Sequence, residues 1–317
     1  MIINVLLLIL GFMLLIKGAD IFVDGASSTA QNFKVSKVLI GLTIVAFGTS
    51  APEFALSMNA LASKSTDMVL GNVIGSNIMN ILLIIGIAAI IHPISIKNNT
   101  VKKELPFTLL ISTLLVVLFL DIRLGNNVVN EISRSDAFVI LLFFSIFLYY
   151  LVTLAIDKKK QDIKEEPKFK LGKSILFVIL GLAGIIIGSD LVVDNASKIA
   201  ANLGVSERII ALTIIAFGTS LPELVTTIIS SRKGEQDLLV GNIIGSNIFN
   251  ICVVLGIPVA IFGGITPGSF QMIDLIMLIV SALLLYLFSK SYKKITRIEG
   301  ILMLTLFISY YILVFVI

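Results

Sequence analysis

The sequence predicts an all-α polytopic membrane protein, with ten transmembrane helices in two inverted five-helix repeats. Three observations lead to this fold class: the composition, a series of apolar segments and a motif that occurs twice. Of the 317 residues, 57% are hydrophobic and only 14% are charged, and the mean hydropathy is +1.06. This number of charged residues is too small to cover the surface of a soluble domain. The composition is therefore typical of a membrane protein.

Apolar segments long enough to cross a bilayer as helices, about 20 residues each, recur along the chain. No basic stretch precedes the first of them and no small-residue cleavage site follows it, so we expect it to be retained instead of removed as a signal peptide. The single cysteine, Cys252, falls inside the eighth segment and has no partner for an intrachain disulfide. We interpret ten segments as spans, at residues 2–22, 38–61, 68–91, 105–121, 136–156, 173–193, 208–230, 238–261, 271–289 and 299–316.

The basic residues predict how these spans are oriented. With ten spans both termini lie on one side, and 19 of the 24 lysines and arginines then fall on the opposite side. Cytoplasmic loops carry the excess of basic residues, so both termini are predicted to be extracellular in the plasma membrane. This distribution explains the net charge of +4 without a nucleic-acid partner. The basic residues predicted to lie outside are Lys64, Arg123, Arg134, Lys198 and Arg208.

The segment "DKKKQDIKEEPKFK" (157–170) is the only long charged stretch and divides the chain into two halves. Its mixed charges and its proline favour a solvated cytoplasmic linker, and a regulatory or lipid-binding element is the alternative. The predicted organisation is a first repeat at 1–156, a linker at 157–172 and a second repeat at 173–317.

The two halves share a motif at an offset of 170 residues. "GLTIVAFGTSAPE" (41–53) returns as "ALTIIAFGTSLPE" (211–223), and "GNVIGSNIMN" (71–80) returns as "GNIIGSNIFN" (241–250). Each half contains five spans, an odd number, so the second copy must run inverted across the membrane. Inverted repeats with interrupted helices are typical of secondary transporters, whose sites lie near the bilayer midplane.

The first motif predicts a broken helix with a carboxylate beside the break. Pro52 has no backbone N–H, so the carbonyl of Gly48 loses its helical partner. Inside a membrane such a carbonyl needs another partner or an ion. Thr49 and Glu53 are four residues apart and share one helix face, and the second copy repeats this arrangement with Thr219, Pro222 and Glu223.

The second motif adds neutral oxygen ligands. Ser76 and Asn80 share a face of the third span, as Ser246 and Asn250 do in the eighth. Together the motifs supply carboxylate, amide, hydroxyl and carbonyl oxygens, which hard cations such as Ca²⁺ prefer. No histidine or cysteine belongs to the set, which argues against zinc or copper.

Simpler interpretations of the same residues stay open. Prolines and glycines in membrane helices are often structural, and "GNxxGS" also allows close helix packing, which we expect of its glycines in any case. A lone intramembrane glutamate can be a protonated, hydrogen-bonded residue, and Asn72 and Asn242 can cap or bridge helices. Two symmetric glutamates beside prolines, hydroxyls and amides favour an ion site instead.

Two other functional classes compete with a transporter. An intramembrane aspartyl protease also uses two membrane carboxylates, but it needs aspartates and has no use for a twofold set of hydroxyls and amides. A calcium channel would use similar oxygens, but a pseudo-twofold site between broken helices favours alternating access over an open pore. A transporter without enzymatic activity is therefore the prediction.

The motifs "GTSAPE…GNVIGSNIMN" and "GTSLPE…GNIIGSNIFN" resemble the two alpha-repeats of the calcium/cation antiporter superfamily. The resemblance is greatest to its prokaryotic sodium/calcium exchangers and covers the whole chain. It implies electrogenic exchange of Na⁺ for Ca²⁺, with a Ca²⁺/H⁺ antiporter as the alternative. No cofactor or obligate protein partner is expected; the partners are the two transported ions and the lipid bilayer.

The resemblance also assigns ligands by position. Ca²⁺ would be bound by the carboxylates of Glu53 and Glu223 and the backbone carbonyls of Thr49 and Thr219. Asn80 and Asn250 would line a central position, and asparagine at 250, where potassium-dependent relatives carry aspartate, weakens a potassium-cotransport interpretation. The proton-coupled branch tends to show "GNAxE"-like sequences instead of "GTSxPE", which favours sodium. The sodium ligands would be Ala46 (carbonyl), Ser50, Ser76 and Glu53 in one half, and Ala216 (carbonyl), Ser220, Ser246 and Glu223 in the other.

Overall fold

The computed structural model describes residues 1–124, 130–156, 166–205, 214, 216–266 and 272–316. Most of the predicted linker and the first residues of the predicted seventh span lie outside these ranges. The predicted positions of Arg208 and of linker residues 158–165 are therefore not addressed by the structure.

The described chain is built almost entirely from helices, several of which contain a π-helical segment. The π-helical segments are Gly41–Val45, Met79–Ile85, Thr100–Glu104 and Asn250–Leu255, and the two short strands are β1 (Ile94–Ser95) and β2 (Lys294–Ile295). The α-helices are α1 (Ile2–Phe33), α2 (Lys37–Ile40), α3 (Ala46–Thr49), α4 (Ala51–Ala62), α5 (Thr66–Ile78), α6 (Gly86–Ile91), α7 (Leu105–Leu118), α8 (Asp121–Leu124), α9 (Arg134–Ile156), α10 (Leu171–Asn202), α11 (Ala216–Gly218), α12 (Leu221–Arg232), α13 (Gln236–Phe249), α14 (Gly256–Phe262), α15 (Met272–Tyr292) and α16 (Arg297–Val316).

Seven helices in the described ranges are long and apolar enough to cross a membrane, and one bent pair makes eight. The bent pair is Lys37–Thr49 with Ala51–Ala62, at 45°. The chain is therefore a multi-pass membrane protein, and the count of ten spans stays a prediction. The seven are Ile2–Phe33, Thr66–Ile91, Arg134–Ile156, Leu171–Asn202, Gln236–Phe262, Met272–Tyr292 and Arg297–Val314.

The chain divides into two compact units, which cut across the predicted repeats. Unit one comprises Met1–Pro52 and Asp157–Asn242, and unit two comprises Glu53–Ile156 and Ile243–Ile317. Each unit thus takes residues from both halves of the sequence. The repeat boundaries at 1–156 and 173–317 remain a prediction about the sequence.

Unit one contains a close contact between α1 and α10, whose backbones approach each other at glycines. Glycines at seven-residue spacing on α1 (Gly11, Gly18 and Gly25) meet the backbone of α10. A Cβ atom added to Gly18 would lie 2.8 Å from the carbonyl carbon of Gly184. Around this contact the apolar core includes Leu15, Phe22 and Ile185, all 0% exposed.

Helix α1 is longer than the predicted span 2–22, because polar contacts stabilise its last turns. Lys233 lies 2.8 Å from a carboxylate oxygen of Asp20 and 2.7 Å from one of Asp24, and Lys168 lies 2.7 Å from the other oxygen of Asp24. The hydrogen bond to Asp24 raises the pKa of Lys168 and favours its charged form. Asp20 and Asp24 therefore lie inside one long helix.

Unit two contains the strand pair and a second close helix contact. β1 and β2 pair antiparallel, with Ile94 opposite Ile295. A Cβ atom added to Gly300 of α16 would lie 2.8 Å from the carbonyl oxygen of Gly86, so these two helices also touch through their backbones. The buried carboxylate of Glu104 accepts a hydrogen bond from the hydroxyl of Tyr150.

Candidate ion-binding site

Both copies of the first motif form the predicted helix break. Helix α3 ends at Thr49, Ser50 adopts φ −85° and ψ 7°, and α4 starts at Ala51. In the second copy Ser220 adopts φ −91° and ψ 5° before α12. A proline lies two residues after each break, which agrees with the missing N–H as its cause.

The breaks place a glutamate in the first turn of a helix in each copy. Glu53 belongs to the first turn of α4 and Glu223 to that of α12. Both are almost completely buried, with 1% and 0% of their surface exposed. The free N–H groups and the dipole of a helix N-terminus favour a negative charge at this position.

In unit one, residues from both halves of the sequence meet around Glu223. The Ser50 hydroxyl donates to a carboxylate oxygen of Glu223 at 3.0 Å. Beside it, the Thr49 hydroxyl donates to the side-chain oxygen of Asn242 at 3.1 Å, and Thr49, Ser50 and Asn242 are buried. We call these four residues the Glu223 half-site.

The predicted ligands of the second copy lie at the second helix break, as those of the first copy lie at the first. Thr219 and Ser220 form the break, and Ser220 is 1% exposed. Ala216 begins α11, so the backbone carbonyl that the resemblance assigns belongs to the last helical residues before the break.

In unit two, Asn72 supports the helix that carries Glu53. Its side-chain amide donates to the backbone carbonyl of Glu53 and to the hydroxyl of Ser57, both at 3.0 Å. Asn72 therefore bridges α4 and α5, one of the two roles considered for it. We call Glu53, Ser57 and Asn72 the Glu53 half-site.

A cluster of asparagines lies in the same unit, where the second motifs of the two halves meet. The Asn80 amide donates to Asn247 at 3.0 Å, and the Asn247 amide lies 3.5 Å from the backbone carbonyl of Asn77. Asn77 and Asn247 were not among the predicted site residues. Their position in "GSN", one turn before Asn80 and Asn250, is the signal that points to them.

Asn250 is buried with its amide unused. It is 0% exposed, and across the described ranges neither its side-chain oxygen nor its nitrogen has a hydrogen-bond partner. It begins the π-helical segment Asn250–Leu255, and Asn80 lies in the matching segment Met79–Ile85. Such π-helical segments are frequent at functional sites.

The expectation that the motif glycines pack closely is right for one position and wrong for two. A Cβ atom added to Gly241 would lie 2.5 Å from the carbonyl oxygen of Val38, so α13 touches α2 there. At Gly71 and Gly75 an added Cβ would meet no described atom within 4 Å. These two glycines lie on partly or fully exposed surface, where no neighbouring backbone requires a small residue.

The structure brings together only some of the predicted ligands. Ser50 contacts Glu223 directly, whereas Glu53 belongs to unit two and Glu223 to unit one. The hydroxyl-bearing residues Ser76 and Ser246 are buried, at 4% and 0% exposure. The described residues contain no group of three His, Cys, Asp or Glu side chains suited to a metal.

Comparison with known proteins places these features in a family. The family model described as "Sodium/calcium exchanger protein" matches residues 3–153 and 173–316. The sodium/calcium exchanger MaX1 of Methanosarcina acetivorans is 31% identical over 99% of both chains. The inner membrane protein YrbG of Escherichia coli (strain K12) is 39% identical over 87% of this chain and 85% of its own.

The fold is also similar to a solved exchanger structure. The sodium-calcium exchanger NCX_Mj, soaked with Na⁺ and Ca²⁺, superposes with a TM-score of 0.84 at 36% identity, covering 99% of this chain and 98% of its own. Matches of this extent in sequence and fold, together with the buried glutamates at two matching helix breaks, lead to one conclusion: the chain belongs to the sodium/calcium exchanger family of membrane cation antiporters.

Proposed function

We propose that this protein exchanges Na⁺ for Ca²⁺ across the membrane by alternating access and that the exchange is electrogenic. The observation that carries the proposal is the hydrogen bond from Ser50 to Glu223 at a helix break whose counterpart carries Glu53. A proton needs only the carboxylate, whereas Na⁺ needs several neutral oxygens around it. A serine hydroxyl on the carboxylate therefore favours sodium as the coupling ion.

The proposed ligands are those that the family resemblance assigns. Ca²⁺ takes the carboxylates of Glu53 and Glu223 with the carbonyls of Thr49 and Thr219. Na⁺ uses the same carboxylates, so the two ions compete and binding is mutually exclusive. The remaining sodium ligands are the carbonyls of Ala46 and Ala216 and the hydroxyls of Ser50, Ser76, Ser220 and Ser246, with Asn80 and Asn250 at the central position.

The charge of the site explains why exchange is obligatory in this proposal. Two ionised glutamates without a cation are costly in a low-dielectric interior, so the empty site crosses poorly. One Ca²⁺ or two Na⁺ neutralise them, and further Na⁺ carries net positive charge. Helices α1 and α10 bear none of the proposed ligands, and we propose that they slide past the helices that carry the site. The proposed topology is ten spans in two inverted repeats, with both termini outside.

Transport in liposomes tests the coupling ion. Purified protein in Na⁺-loaded liposomes is expected to take up Ca²⁺ only with an outward Na⁺ gradient, because Na⁺ leaving the vesicle drives the exchange. Uptake should persist when a protonophore collapses any pH gradient. With K⁺ and valinomycin setting the voltage, an inside-positive potential should accelerate uptake, because net positive charge leaves with Na⁺.

Two results would contradict this proposal. Ca²⁺ uptake that follows a pH gradient in the absence of Na⁺ would show a Ca²⁺/H⁺ antiporter. Ca²⁺ flux that needs no counter-ion would show a channel. Liposomes without protein, and K⁺-loaded liposomes without Na⁺, provide the background rates.

The variant Asn250→Leu separates ligation from packing. A buried amide without partners costs about 1–3 kcal/mol, so a leucine of similar size should leave stability unchanged or raise it. If Asn250 lines the ion position, Ca²⁺ uptake should nevertheless fall at least tenfold. The measurements are uptake in liposomes and resistance to heating in detergent; normal uptake in a stable Asn250→Leu protein would remove Asn250 from the site.

A further inference from the structure

Helix α12 carries a row of buried hydroxyls that continues from Glu223 towards the basic end of the helix. Thr226, Thr227 and Ser230 follow Glu223 by three, four and seven residues, which is one helix face, and each is 0% exposed. From Glu223 to Ser230 the row covers about 10 Å along the axis. We call these three residues the hydroxyl row.

The hydroxyl row lacks the hydrogen bonds that other membrane hydroxyls of this chain make. Thr29, Thr43 and Thr108 each donate to the carbonyl one turn earlier, at 2.7, 2.6 and 3.0 Å. Thr226, Thr227 and Ser230 have no hydrogen-bond partner among the described atoms. A buried hydroxyl without a partner destabilises the folded state, so three of them on one face need an explanation.

Packing does not require these hydroxyls. The other face of α12 packs on the apolar core of α1 through Leu221, Val225 and Ile229. In the first copy of the repeat, the positions that match Thr226 and Ser230 are Leu56 and Ala60. The position that matches Thr227 is Ser57, which also carries a hydroxyl. The hydroxyls of Thr226 and Ser230 are therefore particular to this helix, whereas that of Thr227 is shared with the first copy.

Glu235, a second and partly exposed carboxylate, follows α12 in the chain. The backbone N–H of Glu235 donates to the carbonyl of Ser230 at 2.9 Å, and the Glu235 side chain is 19% exposed. Its carboxylate accepts a hydrogen bond from Ser27 at 2.8 Å and pairs with Lys37 at 2.9 Å. The hydroxyl row thus lies along α12 between the buried Glu223 and the segment that carries this partly exposed carboxylate.

We propose that the hydroxyl row is one wall of a cation pathway between Glu223 and the end of α12 that carries Arg232, closed in the conformation described here. The inference rests on the proposed exchange of cations at Glu223. A partly dehydrated Na⁺ or Ca²⁺ exchanges water for hydroxyl oxygens, which supplies the partners that these groups lack. The distribution of basic residues predicts that the Arg232 end of α12 faces the cytoplasm. The proposed pathway is therefore the cytoplasmic branch of the transport path.

Cysteine accessibility tests the pathway directly. In a Cys252→Ala background, Thr226→Cys and Ser230→Cys should react with a membrane-impermeant cationic methanethiosulfonate at least tenfold faster than the matched controls Val225→Cys and Ile229→Cys. Labelling should come only from the side that labels Arg232→Cys, which serves as the marker of sidedness. Labelling of the row no faster than the controls, or only from the opposite side, would overturn the proposal.

A transport measurement complements the labelling. Thr226→Val and Ser230→Ala should each slow exchange severalfold while equilibrium Ca²⁺ binding in detergent stays at the parent value, because the path and not the site is changed. Unaltered exchange in the double variant would overturn the proposal. If the parent shows no Na⁺-dependent uptake but the labelling pattern holds, the proposed exchange fails and the cation pathway stands.

Discussion

Glu223→Gln is expected to remove nearly all Ca²⁺ transport. Glutamine keeps the size of the side chain and can still accept the hydrogen bond from Ser50, so the fold should be retained. It removes one of the two formal charges proposed to balance Ca²⁺ in a site that is 0% exposed. Losing one partner of a buried ion pair costs about 3–5 kcal/mol, which corresponds to a loss in Ca²⁺ affinity of about a hundredfold or more. The measurements are Ca²⁺ uptake in Na⁺-loaded liposomes and equilibrium Ca²⁺ binding in detergent.

Glu104→Gln is the matched control. Glu104 is also buried, at 2% exposure, and its carboxylate is bonded to the Tyr150 hydroxyl, but it is not among the proposed ligands. This variant should keep uptake near the parent rate, whereas Glu53→Gln should behave like Glu223→Gln. Near-normal uptake by Glu223→Gln would rule out its role as a calcium ligand. Equal losses in Glu104→Gln and Glu223→Gln would mean that any buried carboxylate is needed for folding.

The broken helices were predictable because their cause is local. Pro52 and Pro222 lack an N–H wherever they occur, and the structure interrupts the helix two residues before each of them. The position of the glutamates in the following turn then depends on the sequence alone. The burial of Glu53 and Glu223 was likewise predictable from the apolar residues on both sides.

Features that depend on distant contacts were not predictable in the same way. The hydrogen bond from Ser50 to Glu223 joins residues 173 apart in the chain, and no local pattern specifies it. The π-helical segments at Asn80 and Asn250 require backbone bonds that sequence periodicity does not reveal. Gly71 and Gly241 occupy matching motif positions, yet only Gly241 touches another backbone. The helix contact thus depends on the neighbour and not on the motif.

The glycines between α1 and α10 allow a sharper prediction than those of the motif. Gly181→Ala is expected to destabilise the protein strongly, because the added Cβ would lie 2.6 Å from the backbone nitrogen of Phe22 and 2.7 Å from its Cα. Backbone atoms cannot move aside as the end of a flexible side chain can, so the two helices must separate. Overpacking of this kind costs about 1–3 kcal/mol and occasionally more. Loss of the monodisperse peak in size-exclusion chromatography after heating in detergent measures the effect.

Two other glycines of α10 provide graded controls for Gly181→Ala. At Gly184 the nearest atom to an added Cβ is the Cα of Gly18, at 3.2 Å, so Gly184→Ala should have a smaller effect. At Gly172 an added Cβ meets nothing within 4 Å of the described structure, and alanine should stabilise the helix by up to about 1 kcal/mol. Gly172→Ala is expected to be the most resistant to heating, Gly184→Ala less resistant and Gly181→Ala the least. If Gly181→Ala and Gly172→Ala resist heating equally, α1 and α10 are not in backbone contact. The proposed sliding of these two helices as a pair would then lose its structural basis.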